Sequence, residues 1–444
     1  MISTPILSFV QRYAESNPAR LHMPGHKGAG ALGFEAADIT EIDGAGALYE
    51  VGGIIGQSEA NASRLFGAQT YYSAEGSSLA IRAMLALAAG MAGGARPLVL
   101  AGRNAHRAFL SAAALLDVDV AWLYPAPGEA YHSCTVTAAD VDAALARLEG
   151  RCRTVYLTSP DYLGHISDIA AVAEVCRRRG ALLLVANAHG AYLKFLPGGS
   201  RHPVDLGADL CCDSAHKTLP ALTGAAYLHI RRGLNVDPAR VKRALALFGS
   251  SSPSWLVLQS LDACNRALET FPQALSAFLP KVDALKARLI GHGYTLVGDE
   301  PMKLTIMARP FGYTGDALAT ALKAAGVVCE FHDPDFVVLM PSPSNRDADL
   351  ARAGDALMAL ERRAPLSGAA PPFHAPARAL SVRAAAFAPS QVLPAGQCEG
   401  RVMAAPALSC PPCVPVAVCG EVADAAVIER LRYYGIEACE VLLK

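Results

Sequence analysis

Asp213-Ser214-Ala215-His216-Lys217-Thr218 decides how this chain is read, because it follows the apolar run Asp209-Leu210-Cys211-Cys212, which has the length and composition of a buried strand. An amine at such a strand end, inside an α/β cleft, is partly desolvated. It then loses its proton and attacks an aldehyde at neutral pH, which makes Lys217 the candidate Schiff-base nucleophile. Four upstream segments add to it. Ala188-His189-Gly190 closes the strand-like run Ala181-Leu182-Leu183-Leu184-Val185, and before it come Arg103-Asn104-Ala105-His106, Glu75-Gly76-Ser77-Ser78 and Pro24-Gly25-His26-Lys27.

Between about residues 58 and 250, strand-like runs alternate with helix-like ones, the pattern of an α/β domain with a mostly parallel sheet. Strands are predicted at Pro97 to Ala101, Val118 to Tyr124, Thr154 to Thr158, Ala181 to Val185, Asp209 to Cys212 and Ala225 to Ile230. Helical periodicity occupies 77–91, 106–116, 138–149, 168–179 and 237–248. The first thirty residues, with the basic, glycine-bearing Arg20 to Gly28, read as loop. Two long helical patterns between 254 and 292 lead to a small α+β unit with strands at Lys303 to Met307, Val327 to Phe331 and Phe336 to Met340. The Pro- and Ala-rich stretch 363–377 reads as a linker. The expected division is 1–265 for the major domain, 266–362 for the small one, and 363–444 for linker and C-terminal extension.

The length of 444 residues implies more than one domain and a well-buried core. Hydrophobic residues make up 52%, yet no apolar stretch runs for the roughly 20 residues of a membrane span. The N-terminus shows no basic region followed by an apolar core, so a cytoplasmic, non-membrane protein is expected. A formal charge of -1 argues against a nucleic-acid partner, which needs clustered Lys and Arg. The 12 cysteines are scattered through apolar runs, as reduced core thiols are.

The five polar segments, in this order, resemble the short Orn/Lys/Arg decarboxylases, enzymes that use pyridoxal 5'-phosphate (PLP) on the aspartate-aminotransferase fold, fold type I. The resemblance covers nearly the whole chain. It implies a large α/β domain with a mostly parallel seven-stranded sheet and a smaller C-terminal α+β portion. It also implies decarboxylation of a basic L-amino acid, arginine or lysine ahead of ornithine, with Lys217 holding PLP as an imine. Gly76, Ser77 and Ser78 precede a helix-like run, where hydroxyls and free amides suit a phosphate dianion but where serine is also an ordinary cap. The resemblance makes them the phosphate cup, with Ser214 and His216 as further contacts. His106 would stack on the pyridine ring, although a histidine at a helix start also serves as a cap. His189, otherwise a core histidine, would sit near the phenolic oxygen and tune the imine proton. Ser250-Ser251-Ser252-Pro253-Ser254 matches the hydroxyl-rich turn that reaches the neighbouring subunit's cofactor phosphate, with Ser251 and Ser252 as contacts. A homodimer or higher homo-oligomer with shared sites follows; taken alone, the segment is a Ser-Pro turn opening a helix.

Ala186 departs from the pattern, which carries there an aspartate paired with the protonated pyridine nitrogen. Ala384 and Gly46 also stand where acids are expected. Asn187, Asp161 and Asp213 are the candidates to compensate. The loss keeps two rivals open: another PLP reaction such as transamination, and a weakly active or non-catalytic PLP-binding paralogue. Glu330, an acid among apolar residues, either pairs with the distal cation of a basic substrate or faces solvent. Cys410-Pro411-Pro412-Cys413 lacks the four ligands of a zinc site, and Val414 to Val418 after it reads as strand rather than the following helix of a thioredoxin motif, so no metal is expected.

Overall fold

The computed structural model describes residues 1–92, 96–126, 128–409 and 411–443. Its largest sheet has seven strands: β1 (Gln69–Ser73), β2 (Leu98–Gly102), β3 (Asp119–Leu123), β4 (Thr154–Thr158), β5 (Leu182–Ala186), β6 (Leu210–Asp213) and β7 (Ala226–Ile230), in the order β1-β7-β6-β5-β4-β2-β3. β7 pairs antiparallel with both of its neighbours, β1 and β6, whereas β2 with β3, β2 with β4 and β5 with β6 are parallel. Covered on both faces, such strands read as continuous apolar runs rather than alternating ones. This is the expected mostly parallel α/β sheet. Six of its strands lie within a residue or so of their predicted places, and β1 was not anticipated.

The chain divides into two compact units. The first, Met1–Gly93 with Leu182–Gln273, holds β1, β5, β6 and β7. Its helices are α1 (Pro5–Glu15), α2 (Gly53–Phe66), α3 (Gly76–Ala92), the single turn α7 (Ala215–Thr218), α8 (Pro238–Ala246) and α9 (Trp255–Ala267). The second, Gly94–Ala181 with Ala274–Lys444, holds β2 to β4 with α4 (Arg107–Leu115), α5 (Ala138–Arg147) and α6 (Ile169–Arg179). It also contains a four-stranded antiparallel sheet of β8 (Thr295–Val297), β9 (Leu304–Met307), β10 (Phe331–His332) and β11 (Phe336–Leu339), in the order β10-β11-β9-β8.

Three expectations are corrected. Residues 5–15 are helix, not loop: Pro5 opens the first turn, Ile6 and Val10 are buried one turn apart, and the amides of Ile6 and Leu7 donate to Asp262 Oδ2 at 2.9 and 3.0 Å. Val327 to Phe331 is not a strand, for only Phe331 enters the two-residue β10 and Val328 is 88% exposed. Val414 to Val418, read as strand, contributes a single bridge between Ala417 and Ala407. Cys410 lies outside the described residues, and Cys413, like most of the described cysteines, is buried.

Candidate active site

β5 and β6 are adjacent and parallel, so their carboxyl ends open side by side, where α/β sheets bind ligands. Past β6 the chain turns at once into α7, which carries Lys217; past β5, two residues lead to His189. Lys217 Nζ lies 2.9 Å from His189 Nε2. His189 is 4% exposed and Lys217 is half-buried.

Gly76, Ser77 and Ser78 form the first turn of α3, whose leading amides have no partner within the helix. Gly76 has φ +69° and open space where a Cβ would stand, its amide donates to Gly224 O at 2.7 Å, and Ser73 Oγ donates to Gly76 O at 2.8 Å. Ser214 Oγ donates to Ser77 Oγ at 2.8 Å, which brings two of the predicted phosphate hydroxyls together. His216 Nδ1 donates to Ala225 O at 2.9 Å. The serine turn is tied to the same loop, since Ser250 N donates to Glu75 Oε1 at 2.6 Å, while Ser251 and Ser252 are exposed.

His106 and Glu330 belong to the second unit. His106 is the N-cap of α4, its Nδ1 accepting from Ala108 N at 3.1 Å. Glu330 is exposed and accepts the Tyr162 hydroxyl on Oε1 at 2.8 Å.

The sequence reading missed a polar network on the β6 side of the site. Asp213 is fully buried, and its Oδ2 accepts from His202 Nε2 at 2.9 Å and His229 Nε2 at 3.0 Å. Its Oδ1 accepts from Asn187 Nδ2 at 2.7 Å. Burial alone would raise the Asp213 carboxyl, but the two imidazoles, through charge and hydrogen bonds, outweigh it and hold the group well below the usual carboxylate range. Burial pushes the His229 imidazole down. Asp161 is engaged elsewhere, accepting from His165 Nδ1 at 2.9 Å within the second unit.

Tested against PLP, these residues fit at two points and fail at a third. Lys217 beside His189 suits the aldehyde, and the start of α3 with Ser77 and Ser214 suits the phosphate. At Ala186, where the resemblance leads one to expect an aspartate for the ring nitrogen, the chain offers only a buried methyl.

Residues 4–276 match the family described as the Orn/Lys/Arg decarboxylase, major domain. The chain belongs to the Orn/Lys/Arg decarboxylase family. Family membership makes it an amino-acid decarboxylase and implies PLP. The arginine decarboxylase of Halalkalibacterium halodurans is 28% identical over 97% of this chain and 93% of its own. That of Bacillus subtilis is 26% identical over 94% and 91%. Among solved structures, the Francisella novicida lysine decarboxylase LdcF superimposes with a TM-score of 0.78 at 14% identity, over all of this chain and 81% of its own. The constitutive lysine decarboxylase of Escherichia coli gives 0.76 at 16%, over all of this chain and 82% of its own. Neither transamination nor a non-catalytic paralogue finds support among these relatives.

Proposed function

We propose that this protein decarboxylates a basic L-amino acid, arginine or lysine ahead of ornithine, using PLP bound at Lys217. The observation that carries the reading is the 2.9 Å contact between Lys217 Nζ and His189 Nε2 beside the Ser214–Ser77 pair, in a chain of this family. PLP, when bound, supplies an electron sink for the pair left on Cα as carbon dioxide departs. The protein's own part begins with His189, whose Nε2 holds the proton that Lys217 must lose before its amine attacks. Gly76, Ser77, Ser78, Ser214 and His216 hold the phosphate, using hydroxyls and the leading amides of α3. His106 covers the ring and keeps water from it. Glu330, steadied by Tyr162, pairs with the cation at the far end of the substrate.

Ser251 and Ser252 would complete the phosphate site of a second copy, making the working form at least a homodimer. A cytoplasmic location is in keeping with the many buried cysteines, and among the described residues no helix is long and apolar enough to cross a membrane. Product analysis tests the function. Purified protein with PLP should release carbon dioxide and the corresponding amine from arginine, lysine or ornithine; a keto acid would identify transamination instead, and no product from any of the three would refute the proposal.

A further inference from the structure

The loop that carries His106 is held at both ends by one distant stretch of chain, residues 413–421. Arg103, just past the carboxyl end of β2, is 1% exposed. Its Nη1 donates to Pro415 O at 3.0 Å, and its Nη2 donates to Val416 O at 3.3 Å and to Glu421 Oε2 at 2.9 Å. Glu421 is buried as well, and the same oxygen accepts from Val418 N at 2.8 Å. On the other side of His106, Arg107 N donates to Cys413 O at 3.0 Å. That amide opens α4 and has no partner within the helix, while the next one, Ala108 N, is taken by His106 Nδ1 itself. All of these residues belong to the second unit. The anchor is firm, because Val414, Val416 and Ala417 are buried in one apolar cluster with Met403, Val427 and Leu431. The guanidinium is also packed on rings, its Cζ lying 5.4 Å from the centroid of Trp122 and 5.7 Å from that of Phe373. Only Asn104 and Ala105 separate Arg103 from His106; Asn104 is buried, and Ala105 N donates to Gly102 O at 3.1 Å. A backbone so short and so bonded leaves His106 little freedom once Arg103 and Arg107 are fixed.

We propose that residues 413–421 are a clamp that sets where the His106 ring lies over PLP, with Arg103 and Glu421 as its positioning residues. The inference rests on the proposal that PLP binds at Lys217 with His106 covering its ring. Glu421 and two carbonyls fix the Arg103 guanidinium, Arg103 fixes the start of the His106 loop, and the Cys413 carbonyl fixes its end. A buried ion pair of this kind is costly to break from one side, since the charge left behind has no water to turn to. Arg103 and Glu421 act through His106.

The test compares the parent with Arg103→Lys, Glu421→Gln, His106→Ala and the double variant Arg103→Lys, His106→Ala, each as the full chain loaded with PLP. Two readouts are taken: visible circular dichroism, which reports how protein groups surround the lysine-bound cofactor, and kcat and KM on whichever of arginine, lysine or ornithine the parent turns over. A lysine keeps the charge but cannot reproduce the planar fork that meets two carbonyls and a carboxylate at once. Arg103→Lys should therefore shift the visible signal in the same sense as His106→Ala and lower kcat about tenfold, with KM moving less, as a small misplacement of an active-site group does. Glu421→Gln should do the same to a smaller degree. With His106 gone the clamp has nothing to place, so the double variant should match His106→Ala in both readouts. A double variant showing the two losses multiplied overturns the inference, because a merely structural role is additive. So does an Arg103→Lys whose visible signal and kcat equal the parent's. Should Arg103→Lys fail to fold, Glu421→Gln takes its place in the same cycle, and multiplied losses there overturn the inference equally. A parent that takes up no PLP overturns the cofactor proposal itself. A parent that binds PLP but is unchanged by His106→Ala in both readouts overturns the role of His106 and the clamp with it, leaving Lys217 in place.

Discussion

Lys217 and His189 stand 28 residues apart in sequence and 2.9 Å apart in space. Both were legible because each ends a periodic apolar run, and the end of a buried strand is where a polar residue needs a reason. Ser77, at the first turn of a helix, was legible on the same ground. His202 and His229 were not. They lie 11 and 16 residues from the Asp213 carboxylate they share, and nothing local marks a histidine that is satisfied only by tertiary contact. If Lys217 carries PLP, Lys217→Ala should abolish the visible absorption that borohydride traps in the parent; a trapped peptide mapping to another lysine would refute the assignment. Asp161 and His165 make a second residue-scale prediction. Its hydrogen bond to Asp161 raises His165 against the effect of burial, while burial would raise Asp161 but its bonds to His165 and Ser133 lower it. A histidine raised on folding contributes stability below its unfolded value of about 6.5 and loses it as pH rises through the folded value. Toward strong acid, the contribution fades again as Asp161 protonates. His165→Ala should therefore lower Tm most in mildly acidic buffer and least above neutrality, and a pH-independent difference would contradict the pairing.

Strand and helix alternation was legible in the major domain because buried parallel strands are short apolar runs and the helices between them keep a 3.6-residue period. The misses share a cause, since each depends on a distant partner. β1 enters the sheet only by pairing with β7, and its Gln69-Thr70-Tyr71-Tyr72-Ser73 carries no run of aliphatic residues. α1 begins with amides that its own N-cap Thr4 does not satisfy, and the carboxylate of Asp262, in α9, accepts two of them. That carboxylate also favours the positive end of the helix. Asp262→Ala should therefore cost about 1.5–3 kcal/mol, the range for hydrogen bonds to a charged group. Urea unfolding would measure the loss, and Asp262→Asn, which keeps one acceptor oxygen, should cost less. Equal stability of parent and Asp262→Ala would show that α1 docks through Ile6 and Val10 alone.

At the scale of the whole molecule, the proposed homodimer turns on which copy's serine turn completes each proposed phosphate site. Ser251 and Ser252 are exposed, as residues reaching toward a second copy would be, yet Ser250 N is held by Glu75 of its own chain at 2.6 Å, one residue from Gly76. The first observation favours a site shared across a two-fold axis, and the second favours a site closed within one chain. Mixing two defective variants separates them. Lys217→Ala lacks the nucleophile but keeps the turn, whereas the double variant Ser251→Ala, Ser252→Ala keeps the nucleophile and weakens the turn. In an equal, freely exchanging mixture half of the dimers are mixed. If the site is shared, each mixed dimer has one site with an intact lysine and an intact turn, so activity should return to about a quarter of the parent's, as closed two-fold symmetry requires. If the turn serves its own chain, no combination creates a complete site, and the mixture should show only the average of its two components. We expect the quarter, and an activity equal to that average after full subunit exchange would place the whole site within one chain.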